Sequence, residues 1–395
     1  MLSIAAAAAR ILDTVERTGD EVVALADAAG RIAAAPIVAG RPLPGFTNAA
    51  MDGFAARAAE LPAVLPVVGL VAAGPGTPAP LAPGTAVRIM TGAPVPAGAD
   101  CVVMFEDADD RGATVGLPAA RAGAHVRRAG EDLEVGAPAI AAGTRLGPGE
   151  LTVAAALGHA TVRVARRPRV AILATGDELR PIDAELGPGE LVDSSAYGLA
   201  AAVRAAGGEP EYLGVVADEP EAVTAAIARA LAADVVVTTG GVSAGDRDHV
   251  RAALAACGVT LDFWKVAMKP GKPLAVGRAG ATTVFALPGN PVSSWTSFEL
   301  FVRPALLAML GARAVTRPRA PVVLPDGYRK PAGRAHIVRA AVERDGARLI
   351  AHPHPRQGSG MMSSLLGVDA LVEIAAEITE VAPGEAAPAW LLEAR

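Results

Sequence analysis

Aromatic residues are nearly missing from this chain: Phe, Trp and Tyr make up 3% of its 395 residues. Its cores must therefore be built from aliphatic side chains and alanine, for which a 52% apolar content is ample. Cysteine is equally scarce, with Cys101 and Cys257 alone. They stand far apart without metal-ligand spacing, which argues against a disulfide framework and fits a reducing compartment. Cys101 opens a short apolar run and reads as a small buried hydrophobe. A basic excess is lacking too: the net charge of −5 argues against a general nucleic-acid binder. No run of about 18 strongly apolar residues occurs, so no membrane span is expected. Residues 1–17 lack the basic start, apolar middle and cleavage site of a secretion signal. The expectation is a soluble, cytoplasmic protein.

Missing motifs narrow the chemistry further. Neither Gly-x4-Gly-Lys-Ser/Thr nor Gly-x-Gly-x-x-Gly is present, which disfavours a Walker ATPase and a typical Rossmann dehydrogenase. Gly241-Val242-Ser243-Ala244-Gly245 has the letters of a nucleophile elbow. No His has a partnering role, however, and Asp246-Arg247-Asp248 follows with polar ligand contacts, so a serine hydrolase is disfavoured. His352 and His354 alternate with prolines and read as loop residues, since no third metal ligand lies at suitable spacing. No internal repeat is visible.

Four regions separate by pattern. Residues 1–42 read as helical and, with 141–166, form an expected helical linker domain. Residues 43–140, rich in Pro and Gly with short β-like runs, read as an inserted small β domain. From 167 to 312, apolar runs alternate with helical patterns, which predicts a doubly wound, parallel-rich α/β domain. Residues 318–395 alternate again, with a hairpin turn at Asp345-Gly346, and predict a small C-terminal β-barrel. The fold class expected is multidomain α/β plus β.

Residues 240–294 carry the strongest chemical signal. Gly240-Gly241-Val242-Ser243, Lys269-Pro270-Gly271-Lys272-Pro273 and Pro288-Gly289-Asn290-Pro291-Val292-Ser293 are expected within one sheet, the first and third between a strand and a helix. In an open α/β sheet such loops line the ligand crevice, and glycines with helix starts offer N–H groups to an anion. Lys269 and Lys272 add positive charge. Thr175-Gly176-Asp177-Glu178 ends another buried strand; it fits a phosphate loop, and equally a turn capped by its Asp. Asp193-Ser194-Ser195 fits a helix cap as well as an anion donor. In the first half, Asp52, Thr91 and Asp132 sit in loops. Carboxylates beside a phosphate site are costly unless they bind a metal or act as bases, and Mg²⁺ is the economical explanation. Arg334, Arg339, Ser359 and Ser363 in the last region suit a tetrahedral oxyanion or, alternatively, a solvated barrel edge.

In order, 50–54, 88–100, 130–132, 175–179, 240–248, 269–273, 287–293 and 357–360 resemble the motifs of one family along nearly the whole chain. It is the molybdopterin molybdenumtransferase (MoeA-type) family, to which the gephyrin E domain also belongs. The resemblance implies insertion of molybdate into adenylated molybdopterin, giving molybdenum cofactor and AMP with divalent-metal assistance. It implies a homodimer whose site lies between the α/β domain of one subunit and N-terminal loops of the other. By matching positions, Lys269, Lys272, Ser293, Arg334 or Arg339, and Ser359 or Ser363 become candidates for the molybdate pocket. Thr175–Glu178, Gly240–Ser243 and Pro288–Asn290 would hold the pterin phosphate and adenylate, with Ser195 nearby. Asp52, Thr91, Asp132, Glu178, Asp218 and Asp246 are candidates for metal binding or acid/base work, Asp246 and Glu178 foremost for the metal. Thr47, Ala49 and His125 depart from the family's usual Asp, Ser and Asn and put fine substrate contacts in question. The rivals are a molybdopterin adenylyltransferase, which would not need residues 1–165 and 318–395, and a non-catalytic cofactor carrier or scaffold.

Overall fold

The computed structural model describes residues 1–242 and 249–392. Ser243 and Asp246 lie outside the described residues.

The Ser3 hydroxyl caps helix Ile4–Leu12 by accepting the Ala6 N–H at 3.1 Å. The helix expected over 1–42 goes no further. Asp20–Ala24 is a strand paired antiparallel with Thr161–Ala165, and Ile37–Val38 pairs with Pro138–Ile140. Alanine-rich sequence carries helix propensity here, but pairing with a distant segment overrides it. The helix itself turns Ile4, Ala7 and Ile11, one face of a 3.6-residue period, into the core that also holds Val170, Ile172 and Phe285. Burying two isoleucines contributes about 3–6 kcal/mol to that packing. Between the paired segments, a curled six-stranded sheet runs in the order Cys101–Met104, Gly53–Ala56, Ala86–Ile89, Ala63–Val71, Thr114–Leu117, Asp109–Asp110. Cys101 is buried there, where desolvation and the charge of Asp100 push its thiol up to about 11.

The central unit contains strands β1 (Arg169–Thr175), β2 (Glu209–Val216), β3 (Val235–Thr239), β4 (Thr260–Trp264), β5 (Ala275–Ala279) and β6 (Thr282–Leu287). Helices α1 (Ser195–Ala205), α2 (Pro220–Ala230) and α3 (His249–Ala256) connect them. The sheet order is β2-β1-β3-β6-β5-β4, with the first four strands parallel, β5 antiparallel to β6, and β4 antiparallel to β5. Along β1, Val170 and Ile172 join the core on one face, while Ala171 and Leu173 join that on the other. Burial on both faces explains why its sequence is continuously apolar. After β6, helix α4 (Pro291–Ser297) passes through a π-helical turn at Phe298–Val302 into α5 (Arg303–Met309).

The last unit closes on itself. β7 (Arg319–Val323), β8 (Ala335–Asp345), β9 (Arg348–Pro353), β10 (Ala370–Ile374) and β11 (Ala386–Leu391) pair in the cycle β8-β9-β7-β11-β10-β8, a five-stranded barrel. Asp345 pairs with Arg348 across the expected hairpin turn. Met268–Lys269 corrects one expectation. This segment belongs not to the α/β sheet but to the barrel, pairing parallel with β8 so that Lys269 faces His336 in register.

Candidate active site

Because β1, β3 and β6 are adjacent and parallel, their carboxyl ends open on one side. Thr175, Gly176, Gly240, Gly241, Pro288, Gly289 and Asn290 consequently line a single cavity of about 810 Å³. Ser194 and Ser195 at the start of α1, and Pro291 at the start of α4, lie on the same wall. Two helix starts thus face the space, an arrangement suited to an anion. Gly240 is required for the loops to meet: its φ is +90°, and a Cβ there would lie 2.3 Å from the Thr175 carbonyl oxygen. Thr175 is 4% exposed, and its Oγ1 has no hydrogen-bond partner among the described residues. Thr175 lies on the wall of this cavity.

Glu178 and Asp218 also line the cavity. Asp177 stands behind them, its Oδ1 accepting the Asp218 N–H at 3.1 Å. Burial raises the Asp218 pKa first, and the negative charges of Asp177 and Glu178 raise it further. Among the described residues no three His, Cys, Asp or Glu side chains are grouped to hold a metal by themselves. Mg²⁺ asks for less: one or two carboxylates complemented by phosphate oxygens and water. Glu178 and Asp218 fit that requirement.

The barrel supplies the facing wall. Asn290 Nδ2 donates to Ser359 Oγ at 3.4 Å, Ser194 Oγ donates to Met362 Sδ at 3.5 Å, and Gly360 and Met362 line the cavity. Lys269 opens instead on a smaller cavity of about 180 Å³ with Tyr328, His336 and Gln357. Burial and the charges of Lys269, Lys330 and Arg334 push the His336 pKa down to about 4, so Arg334 and Lys269 form one cationic group around a neutral imidazole.

Not every expected residue reaches these spaces. Lys272 is exposed and Ser293 is buried in the first turn of α4; neither lines a described cavity. Ser363 is exposed on the Met362–Leu365 turn. Arg339 is 0% exposed and lines neither cavity. Its Nε donates to Ser364 Oγ at 2.8 Å and its Nη2 to the Arg356 carbonyl at 3.3 Å, so it braces the loop that presents Gly360 and Met362. The N-terminal loops gather elsewhere. Thr91 donates both its N–H and its hydroxyl to Asp52 Oδ1, at 2.6 and 2.8 Å, which lowers the Asp52 pKa. Asn48–Ala49 pairs with Val126–Arg127, and the Asp132 N–H donates to the Leu43 carbonyl at 3.0 Å. Asp52, Thr91 and Asp132 do not line the 810 Å³ cavity of their own chain. Conversely, His336, Tyr328 and Met362 were not among the expected site residues. The two-residue spacing of His336 from Arg334, which immediately precedes β8, was the available signal for His336.

Strand-end glycine loops, two helix starts and a carboxylate pair around one cavity define an α/β protein with a crevice suited to an anionic small molecule. Three family models match in order: the MoeA N-terminal region (domains I and II) at residues 2–158, a probable molybdopterin binding domain at 171–308, and the MoeA C-terminal region (domain IV) at 321–392. The chain belongs to the molybdopterin molybdenumtransferase family. Molybdopterin molybdenumtransferase 2 of Mycobacterium tuberculosis (strain H37Rv) is 37% identical over 382 residues, covering 93% of this chain and 94% of that protein. The Bacillus subtilis (strain 168) molybdopterin molybdenumtransferase is 36% identical over 365 residues, covering 89% and 85%. The solved molybdopterin biosynthesis MoeA protein of Pyrococcus horikoshii superposes over 100% of both chains with a TM-score of 0.86 at 31% identity. No helix among the described residues is long and apolar enough to cross a membrane.

Proposed function

We propose that this chain is a transferase that inserts molybdenum, supplied as molybdate, into molybdopterin to give molybdenum cofactor. The observation that carries this reading is the single cavity on which Thr175-Gly176, Gly240-Gly241 and Pro288–Asn290 converge, in a chain aligned along most of its length with relatives named for that transfer. The acceptor in this reading is adenylated molybdopterin, and the second product is AMP. The anhydride P–O bond breaks, AMP leaves with an oxygen from molybdate or water, and the pterin phosphate retains the bridging oxygen. Molybdate and the anhydride are both anionic, so their approach needs positive charge in a dry site. Helix starts and backbone N–H groups at the glycine loops, Lys269 at the smaller cavity, and Arg334, whose charge acts on His336 there, would supply it. Mg²⁺, held by Glu178 and Asp218, would neutralise phosphate charge; Asp246, also a metal candidate from the sequence, lies outside the described residues. Asp52, Thr91 and Asp132, remote from their own chain's cavity, would serve that of a partner in a homodimer.

The test is incubation of the purified chain with adenylated molybdopterin, Mg²⁺ and molybdate, with AMP and active cofactor as readouts. Molybdate-dependent release of AMP together with active cofactor is the expected result. Tight pterin binding without turnover would favour a carrier, and the absence of binding would overturn the assignment.

A further inference from the structure

The smaller cavity, about 180 Å³, has room for a tetrahedral oxyanion but not for a pterin. It abuts the larger one through two loops. Lys269 and Pro270 line it where Pro273 lines the larger space, and Gln357 and Gly358 line it where Gly360 and Met362 line the other. No Asp or Glu is among its described lining residues. Three cations, Lys269, Lys330 and Arg334, act on His336 in its wall. None of the three forms an ion pair among the described residues. Lys330 is 6% exposed, and its ammonium donates to two neutral groups, the Pro331 and Ala376 carbonyls, at 3.3 and 3.1 Å.

His336 is held from both sides. It pairs in register with Lys269 and with Ile374 of β10. From the Tyr328–Arg329 strand, the Tyr328 hydroxyl meets its Nδ1 at 3.4 Å, the rings lying edge to face with centroids 6.1 Å apart. The carboxylates of the neighbouring segments are engaged elsewhere: Glu373 pairs with Arg319, Glu380 with Arg329, and Glu377 acts on Lys330. Gln357 is neutral, and its amide is used by the Arg339 backbone and the His354 carbonyl. In this setting three positive charges oppose a fourth, and burial opposes it further, so the imidazole is neutral, its pKa pushed down to about 4. A dianion among the same groups reverses that balance.

We propose that His336 couples proton uptake to oxyanion binding: it is neutral in the free protein and becomes imidazolium when a tetrahedral dianion, molybdate in the functional reading above, enters the smaller cavity. The proton passes from solvent to the unprotonated ring nitrogen and returns to solvent when the anion leaves. The inference rests on that reading, which brings the oxyanion to these cations. A permanent fourth cation would repel the other three in the free protein, whereas an imidazole supplies its charge only together with the ligand.

The experiment is calorimetric titration of the full chain with molybdate, at pH 6.5 and pH 8, in buffers of different ionisation enthalpy. Two negative charges against three positive ones should return the His336 pKa to about its ordinary 6.5. Binding should then take up about half a proton at pH 6.5 and almost none at pH 8, and be about twofold tighter at pH 6.5. His336→Gln should bind molybdate without proton uptake and with equal affinity at both pH values. His336→Arg, charged throughout, should also take up no proton. Circular dichroism confirms folding, and if one variant fails to fold the other decides. Uptake that persists in a folded variant, or is absent from the parent while molybdate binds, would overturn the coupling alone. An unsubstituted chain that binds no molybdate would overturn the functional reading, and the coupling with it.

Discussion

His125 has φ +52°, one of two non-glycine residues in the left-handed region among those described. Its carbonyl accepts the Ala50 N–H at 2.8 Å, fastening the loop before Arg127 to that of Asp52. His, Asn and Asp tolerate this conformation better than β-branched residues. His125→Val should therefore lose about 1–2 kcal/mol in urea unfolding, and His125→Asn close to nothing. His336 makes a prediction about pH. Its folded-state pKa of about 4 lies below its ordinary 6.5, because burial and three nearby cations oppose protonation. Its contribution to stability is complete above pH 6.5 and is lost as pH falls from 6.5 towards 4, where the unfolded chain takes up a proton that the folded chain refuses. Denaturant midpoints at pH 7 and pH 4.5 should differ less in His336→Gln than in the parent. Residue identity alone did not reveal these settings. Arg334 and Arg339 look equivalent in sequence, yet one lies in the cationic group and the other is buried under the loop of Arg356, Gly358 and Ser364, on the strand face opposite Val338 and Ala340.

The elements that could be read from sequence are those whose pattern one interaction dominates. β1, β3 and β6 are apolar on both faces and bounded by glycine turns, so their limits and their loops were legible. Asp20–Ala24 was not, because most of it is exposed and only its ladder with Thr161–Ala165 makes it a strand. The lysine segment at 269–273 was assigned to the wrong sheet for a related reason: two ladder residues carry too little pattern to name their partner. The helix after β6 was legible in extent but not in its π-helical turn, where Glu299 is 7% exposed. Glu299 accepts from Arg317 Nε at 3.0 Å and from Nη2 at 3.3 Å, and Arg317 Nη1 donates to the Leu392 carbonyl. This contact ties the helix to both ends of the barrel. Arg303 lies alongside, its pKa pushed down to about 10 by burial and by Arg317. Removing the carboxylate would leave two partly buried cations opposed to one another. Glu299→Ala should destabilise the chain by about 3 kcal/mol in thermal or denaturant unfolding, with Glu299→Gln costing less because its amide oxygen still accepts.

At the scale of the whole molecule, the chain makes two sets of site-like residues and keeps them apart. The cavity at the ends of β1, β3 and β6 has carboxylates and a buried hydroxyl with no partner among the described residues, while Asp52 and Thr91, bonded to one another, and Asp132 do not line it. A symmetric dimer would resolve the separation, since each subunit would lend its loops to the other's cavity. Sequence reading could place both sets on loops but not relative to one another, because no local pattern encodes which surfaces meet. Complementation distinguishes a shared site from one within a single chain. Asp52→Ala disables the loops and leaves the cavity whole; Glu178→Ala does the reverse. Each variant alone should be nearly inactive in the AMP-release assay. In a heterodimer of the two, one site combines two disabled parts and the other two intact parts. Unfolding and refolding an equimolar mixture, or coexpressing the two, should therefore restore about a quarter of parental activity, since half the dimers are mixed and each holds one working site. Activity that stays near zero, with mixed dimers shown by differently tagged subunits, would place every catalytic group within one chain and remove the role given to the partner's N-terminal loops.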